Sequence, residues 1–145
     1  MKTEIRHVGI VVDDLEKCIE FWKQFFGFEI IIDQIEPSPY IDELLNLNIK
    51  KLRTVKLKNQ GNALIELLKF QDIETRDNWS GRITSTGLTH IALTVNNLEE
   101  LFNKLTNEGY LSYSKILVPP SKKVKVVFIE GPENLILELV EEIKL

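Results

Sequence analysis

The chain has 145 residues, enough for one compact domain or two small units that share a core. Apolar content of 43%, charged content of 28% and a net charge of −4 are those of a globular protein, and they exclude a basic nucleic-acid binder. Cys18 is the single cysteine, which excludes an intrachain disulfide and a cysteine-rich zinc site. The chain shows neither a secretory signal nor an apolar run long enough to span a membrane, so the expected location is cytoplasmic.

Arg6 to Val12 is rich in Val and Ile and reads as a buried strand. Asp13-x-x-Glu16 resembles a capping box. Leu15, Cys18, Ile19, Trp22, Phe25 and Phe26 recur at helical spacing, predicting a helix from Leu15 to Phe26 that Gly27 stops. Phe28 to Asp33 reads as a strand, Glu36 to Pro39 as a break, and Tyr40 to Leu47 as a short helix. Leu52 to Lys58 and Ala63 to Phe70 read as strands joined by a hairpin turn at Asn59 to Asn62. Gln71 to Gly87 is polar and poorly patterned, a connection.

The order then repeats. Leu88 to Val95 reads as a strand, with a weaker cap at Asn96-x-x-Glu99. Leu98, Leu101, Phe102 and Leu105 make a helix ended by Gly109. Leu111 to Leu117 reads as a strand, Val118 to Lys123 as a loop, Val124 to Ile129 as a strand, Gly131 to Asn134 as a turn and Leu135 to Val140 as the last strand. The expected organisation is a first module over 4–70, a linker over 71–87 and a second module over 88–143.

The repeat is sharpest at the histidines. His7 begins His-Val-Gly-Ile-Val-Val-Asp-Asp-Leu-Glu, and His90 begins His-Ile-Ala-Leu-Thr-Val-Asn-Asn-Leu-Glu. These are the only two histidines in the chain. Histidine is a metal ligand and a proton-transfer group at neutral pH. A second shared phrase lies in the fourth strand of each module, where Ala63-Leu64-Ile65-Glu66-Leu67-Leu68 aligns with Leu135-Ile136-Leu137-Glu138-Leu139-Val140. Each places one glutamate inside an apolar strand. A buried carboxylate without a partner is costly, so each glutamate needs a cation or strong hydrogen bonds. Two imidazoles and two carboxylates from equivalent positions suit a divalent ion such as Ni, Zn, Co, Mn or Fe(II).

Arg53 alternates with Val55 and Leu57, so it is expected to face inward and hold a substrate carboxylate or phosphate bidentately. Tyr40 and Trp79 lie in irregular segments and are candidates to line a cleft.

With these phrases and His7 through Phe28, the chain resembles the vicinal oxygen chelate superfamily, which includes glyoxalase I, methylmalonyl-CoA epimerase, bleomycin and fosfomycin resistance proteins and extradiol dioxygenases. The resemblance implies an α+β fold of two tandem βαβββ modules, with a curved mixed sheet around a metal cleft. It implies that His7, Glu66, His90 and Glu138 are the metal ligands, a set like that of bacterial glyoxalase I. It implies a lyase or isomerase that forms a metal-stabilised enediolate from a small 2-oxo or 2-hydroxycarbonyl substrate. Glu138 is the first candidate for the proton-transferring base and Glu66 the second. The resemblance also implies a homodimer, and makes Pro119 to Lys123 similar to a loop that covers the site in relatives. An Fe(II) dioxygenase and a metal-free binding or resistance module are the alternatives.

Overall fold

The structure, a computed structural model, describes residues 1–49, 51–71 and 82–144. The chain divides into two compact units, Met1–Asn78 and Trp79–Leu145. The fold is α+β, with one mixed sheet in each unit.

The first unit contains β1 (Val8–Val11), α1 (Leu15–Phe26), β2 (Glu29–Ile35), α2 (Tyr40–Leu45), β3 (Lys51–Lys58) and β4 (Leu64–Gln71). Its sheet has the order β1-β4-β3-β2. β1 runs parallel to β4, and the other neighbours are antiparallel. The helix α1 has the bounds its periodicity predicts, but its cap is Asp14 rather than Asp13. The Asp14 carboxylate accepts from the Lys17 N–H at 3.0 Å, while Asp13 is engaged by Lys69, whose ammonium donates to its carbonyl at 2.6 Å. Gly27 ends the helix at φ +64°, in the left-handed region that glycine tolerates.

α1 buries Leu15, Cys18, Ile19, Phe21 and Trp22 and packs on β4. Side chains alternate across a sheet, so Val55 and Leu57 of β3 share this helix-covered face with Ile65 and Leu67 of β4, and all four are buried. Trp22 packs among other aromatic rings, with centroids 5.9 Å from Phe21, 5.5 Å from Phe26 and 5.1 Å from Phe28. Trp22→Ala is expected to destabilise the protein by about 3–5 kcal/mol, read as a fall in the urea midpoint.

The opposite face carries Leu52, Thr54 and Lys56 of β3 and Glu66, Leu68 and Phe70 of β4. α2 covers one end of it. Ile41 and Ile49 form a small apolar cluster with Leu52, against which Leu68 and Phe70 pack. Asp42 ties this segment together by accepting from the Ile49 N–H at 3.0 Å and the Ser38 hydroxyl at 3.0 Å. The stretch without a counterpart in the second unit is therefore a wall on the Glu66 face.

The second unit contains β5 (Ile91–Thr94), α3 (Leu98–Asn107), β6 (Val124–Glu130) and β7 (Ile136–Glu142), with sheet order β5-β7-β6. β5 is parallel to β7, and β6 is antiparallel to it. Asn97, the repeat equivalent of Asp14, caps α3, again one residue later than the sequence pattern predicts. The strand predicted over Leu111 to Leu117 is replaced by two isolated bridges, Ser112 to Ile129 and Leu117 to Val126. The bridges enclose five residue steps on one side (112 to 117) and three on the other (129 to 126), so the segment bulges away from β6 and the ladder breaks. Between β6 and β7 the chain turns through a short 3-10 segment, Pro132–Asn134.

Candidate functional site

His7 stands just before β1, and the parallel register sets Gly9, two residues later, opposite Glu66. In the second unit His90 stands just before β5, and Ala92, two residues later, is opposite Glu138. The two units therefore repeat one construction: a histidine, a small residue two positions on, and a glutamate facing that small residue. A Cβ added to Gly9 meets Leu68 Cδ1 at 3.5 Å, an ordinary contact, so alanine fits as it does in the second unit.

The construction yields two short contacts. His7 Nε2 is 3.7 Å from Glu66 Oε2, and His90 Nε2 is 3.3 Å from Glu138 Oε2. Two ligands of one ion, each bonded at about 2.1 Å, stand roughly 3.0–3.4 Å apart. The second pair is at that spacing and the first is slightly wider. In both pairs the same ring nitrogen meets a carboxylate oxygen, the neutral-imidazole and carboxylate donor set that suits a borderline divalent ion. His90 Nδ1 is 3.0 Å from Thr89 Oγ1, a contact that can orient the ring when Nε2 is a ligand. The described residues hold no cluster of three or more His, Cys, Asp or Glu suited to a metal; the candidates come as two pairs, one per unit.

The surroundings of the pairs differ. Opposite Glu66 in the β3–β4 ladder is Lys56, whose Nζ is 3.4 Å from the same Oε2 that His7 faces. Opposite Glu138 in the β6–β7 ladder is Phe128. Its ring meets His90 edge-on at 5.1 Å and stacks with Tyr113 at 6.2 Å. Burial, followed by the charge of Glu130 and a hydrogen bond to it, raises the Tyr113 phenol above its ordinary pKa. Beside Lys56, buried Thr54 donates its hydroxyl to Glu36 at 2.6 Å, and Gln34 donates to the same oxygen at 3.0 Å. These bonds, Thr54's first, hold the Glu36 carboxyl below its usual pKa, with a smaller contribution from the charge of Lys56.

Arg53 is not part of this arrangement. It does share a face with Val55 and Leu57, as its alternation predicts, but that face lies under α1. Its Nε and Nη2 donate to the two oxygens of Asp33 at 2.8 and 2.7 Å, and Nη1 donates to Glu16 at 2.8 Å. The guanidinium is a clasp between β2, β3 and α1. The second unit repeats the clasp with Lys125, which donates to Glu99, the repeat equivalent of Glu16, at 3.1 Å. The hydrogen bonds from Arg53 lower the Asp33 pKa from 3.8. A lowered carboxylate pKa stabilises the fold above the ordinary value and is lost as pH falls through the lowered one. With Asp33 36% and Glu16 71% exposed, water screens the pair, and Arg53→Ala is expected to cost about 1 kcal/mol at pH 7. The gap from wild type should narrow below pH 3.8, which urea titrations at pH 7 and pH 3 measure.

Of the other candidates, Tyr40 begins α2 and is exposed, and Trp79 lies outside the described residues. Pro119 to Lys123 forms a turn in which the Lys122 N–H donates to the Pro119 carbonyl at 2.9 Å. Cys18 is buried in α1. No described helix is long and apolar enough to cross a membrane. Lys56 is the residue that strand periodicity alone misses. The hairpin register, which sets Lys58 opposite Leu64, carries the signal that brings it to Glu66.

Residues 6–128 match the glyoxalase/bleomycin resistance protein/dioxygenase superfamily. The uncharacterized protein YwkD of Bacillus subtilis is 28% identical over 138 residues, covering 95% of this chain and 96% of that protein. A glyoxalase family protein from Bacillus cereus superposes with a TM-score of 0.89 at 20% identity, over 99% of this chain and 97% of its own. The fosfomycin resistance protein FosX of Listeria monocytogenes, crystallised with Mn(II) and sulfate, gives a TM-score of 0.63 at 14% identity, over 99% and 95%.

Proposed function

The chain belongs to the glyoxalase/bleomycin resistance protein/dioxygenase superfamily, and from that premise we propose that it is a divalent-metal-dependent lyase or isomerase acting on a small 2-oxo or 2-hydroxycarbonyl compound. The observation that carries the reading is the duplicated pair. Each unit sets a histidine Nε2 and a glutamate Oε2 against one another, through the same strand register. Both pairs keep a ring nitrogen and a carboxylate oxygen near the spacing of two ligands on one ion, which the duplicated Arg53 and Lys125 clasps do not offer. The proposed ligands are His7 and Glu66 in the first unit and His90 and Glu138 in the second. The Mn(II) of FosX supports a divalent ion as the occupant.

When bound, such an ion supplies Lewis acidity to a substrate carbonyl and so acidifies the adjacent C–H. The chain's own residues divide the remaining work. Glu66 is the less exposed of the two glutamates, its side chain 14% exposed. Glu138 is 26% exposed, with His90 Nε2 3.3 Å from its Oε2. The less exposed glutamate suits a fixed ligand. The more exposed one suits a base that takes the proton from one substrate carbon and returns it. Phe128 and Tyr113 supply an aromatic wall beside His90.

Metal analysis of protein purified without chelator is the first test. The reading expects stoichiometric Ni, Zn, Co, Mn or Fe, and solvent deuterium exchange into 2-oxo or 2-hydroxyacyl compounds. A protein with no metal and no affinity for one overturns it. Oxygen uptake with catechols after anaerobic Fe(II) loading, without deuterium exchange, replaces it with a dioxygenase.

A further inference from the structure

We propose that Lys56 determines substrate class by receiving an anionic carboxylate next to Glu66, so that the preferred substrates are 2-oxo or 2-hydroxy acids rather than their neutral analogues. This rests on the metal reading above.

Four observations carry it. The first is position. Lys56 faces Glu66 across the β3–β4 ladder, in the interior of the sheet and on the same face as the candidate ligand. The second is burial. Its side chain is only 25% exposed, whereas lysines usually keep to the solvent. The third is that the fold does not require a cation there. The equivalent position in the second unit, opposite Glu138, is Phe128. The two halves share their ligands and differ in the residue that faces them.

The fourth is charge. Lys56 adds one positive charge beside the divalent ion of that reading. Its other acidic neighbour, Glu36, already accepts from Thr54 and Gln34. A divalent ion and an ammonium drawn to the same Glu66 oxygen repel one another. An anionic group placed between them removes that repulsion. A neutral carbonyl compound does not. A carboxylate also gives the ammonium a charge-assisted hydrogen bond to replace the one it shares with Glu66.

The test uses lactate and lactamide, which offer the same vicinal oxygens with and without the negative charge. Each is titrated calorimetrically into metal-loaded wild type, Lys56→Gln and Lys56→Arg, after metal content and metal affinity are measured. Lys56→Gln is expected to weaken lactate by roughly 10–100-fold, to leave lactamide unchanged, and to bind metal as tightly as wild type or tighter, since a like charge is gone. Lys56→Arg should restore most of the lactate affinity. A purely structural lysine would lower metal and both ligands together, and that result overturns the proposal. Stoichiometric metal with unchanged lactate affinity in Lys56→Gln overturns it alone. A wild-type protein that binds no metal overturns the functional reading and this inference with it.

Discussion

Replacing His7 or His90 with alanine should lower divalent-metal affinity by at least ~100-fold, because removing even an outer-shell partner of a ligand costs roughly 10–100-fold. The two variants should not be equal. Without His7, Glu66 keeps Lys56 as a partner 3.4 Å away, so its carboxylate is drawn from the metal toward the ammonium and the first unit loses much of both its donors. Without His90, Glu138 is next to Phe128, which offers no competing charge, and stays available to the ion. His7→Ala is therefore expected to be the weaker metal binder. Competition against a fluorescent chelator measures both affinities, and thermal melts in excess chelator separate lost ligation from lost fold. Wild-type metal content in both variants would refute the proposed ligands.

The pairs were legible in the sequence because the repeat marks them twice and because strand geometry is rigid. A histidine two residues before the partner of a glutamate reaches that glutamate in any parallel strand pair with this register, and the shared phrases impose the register in both units. The helix α1 was legible for a similar reason: its apolar spacing and Gly27 are local signals. The caps were displaced by one residue because tandem Asp13-Asp14 and Asn96-Asn97 both offer competent side chains. At the first of these, a distant residue, Lys69, engages Asp13.

What the sequence hid depends on partners. The alternation of Arg53 with Val55 and Leu57 gives their shared face, but periodicity does not say which face a helix covers. The matching carboxylates, Glu16 and Asp33, lie 37 and 20 residues away. The interrupted strand after α3 is likewise invisible to local propensity, since a bulge is a mismatch of lengths between two segments. Lys56 needed the hairpin register rather than the strand pattern. Its replacement by Phe128 in the second unit shows that the duplication preserves the histidine–glutamate pairs while the facing residues diverge.

That division between pairs and facing residues bears on the proton. If Glu138 is the base, Glu138→Gln should lower deuterium exchange into a responsive 2-hydroxyacyl compound by roughly 10²–10⁴-fold. Glutamine keeps the side chain's length and an oxygen donor, so metal should be retained at reduced affinity, and supplying metal well above the new Kd should not rescue exchange. Glu66→Gln removes the negative charge that Lys56 contacts at 3.4 Å. It is expected to weaken metal binding, with exchange returning toward wild type once metal is saturating. The contrast decides the assignment: a rate lost at saturating metal marks the base, and a rate recovered by metal marks the ligand. Recovery of Glu138→Gln together with permanent loss in Glu66→Gln would reverse the two roles. Equal, recoverable losses would make both glutamates ligands and move the base to another residue.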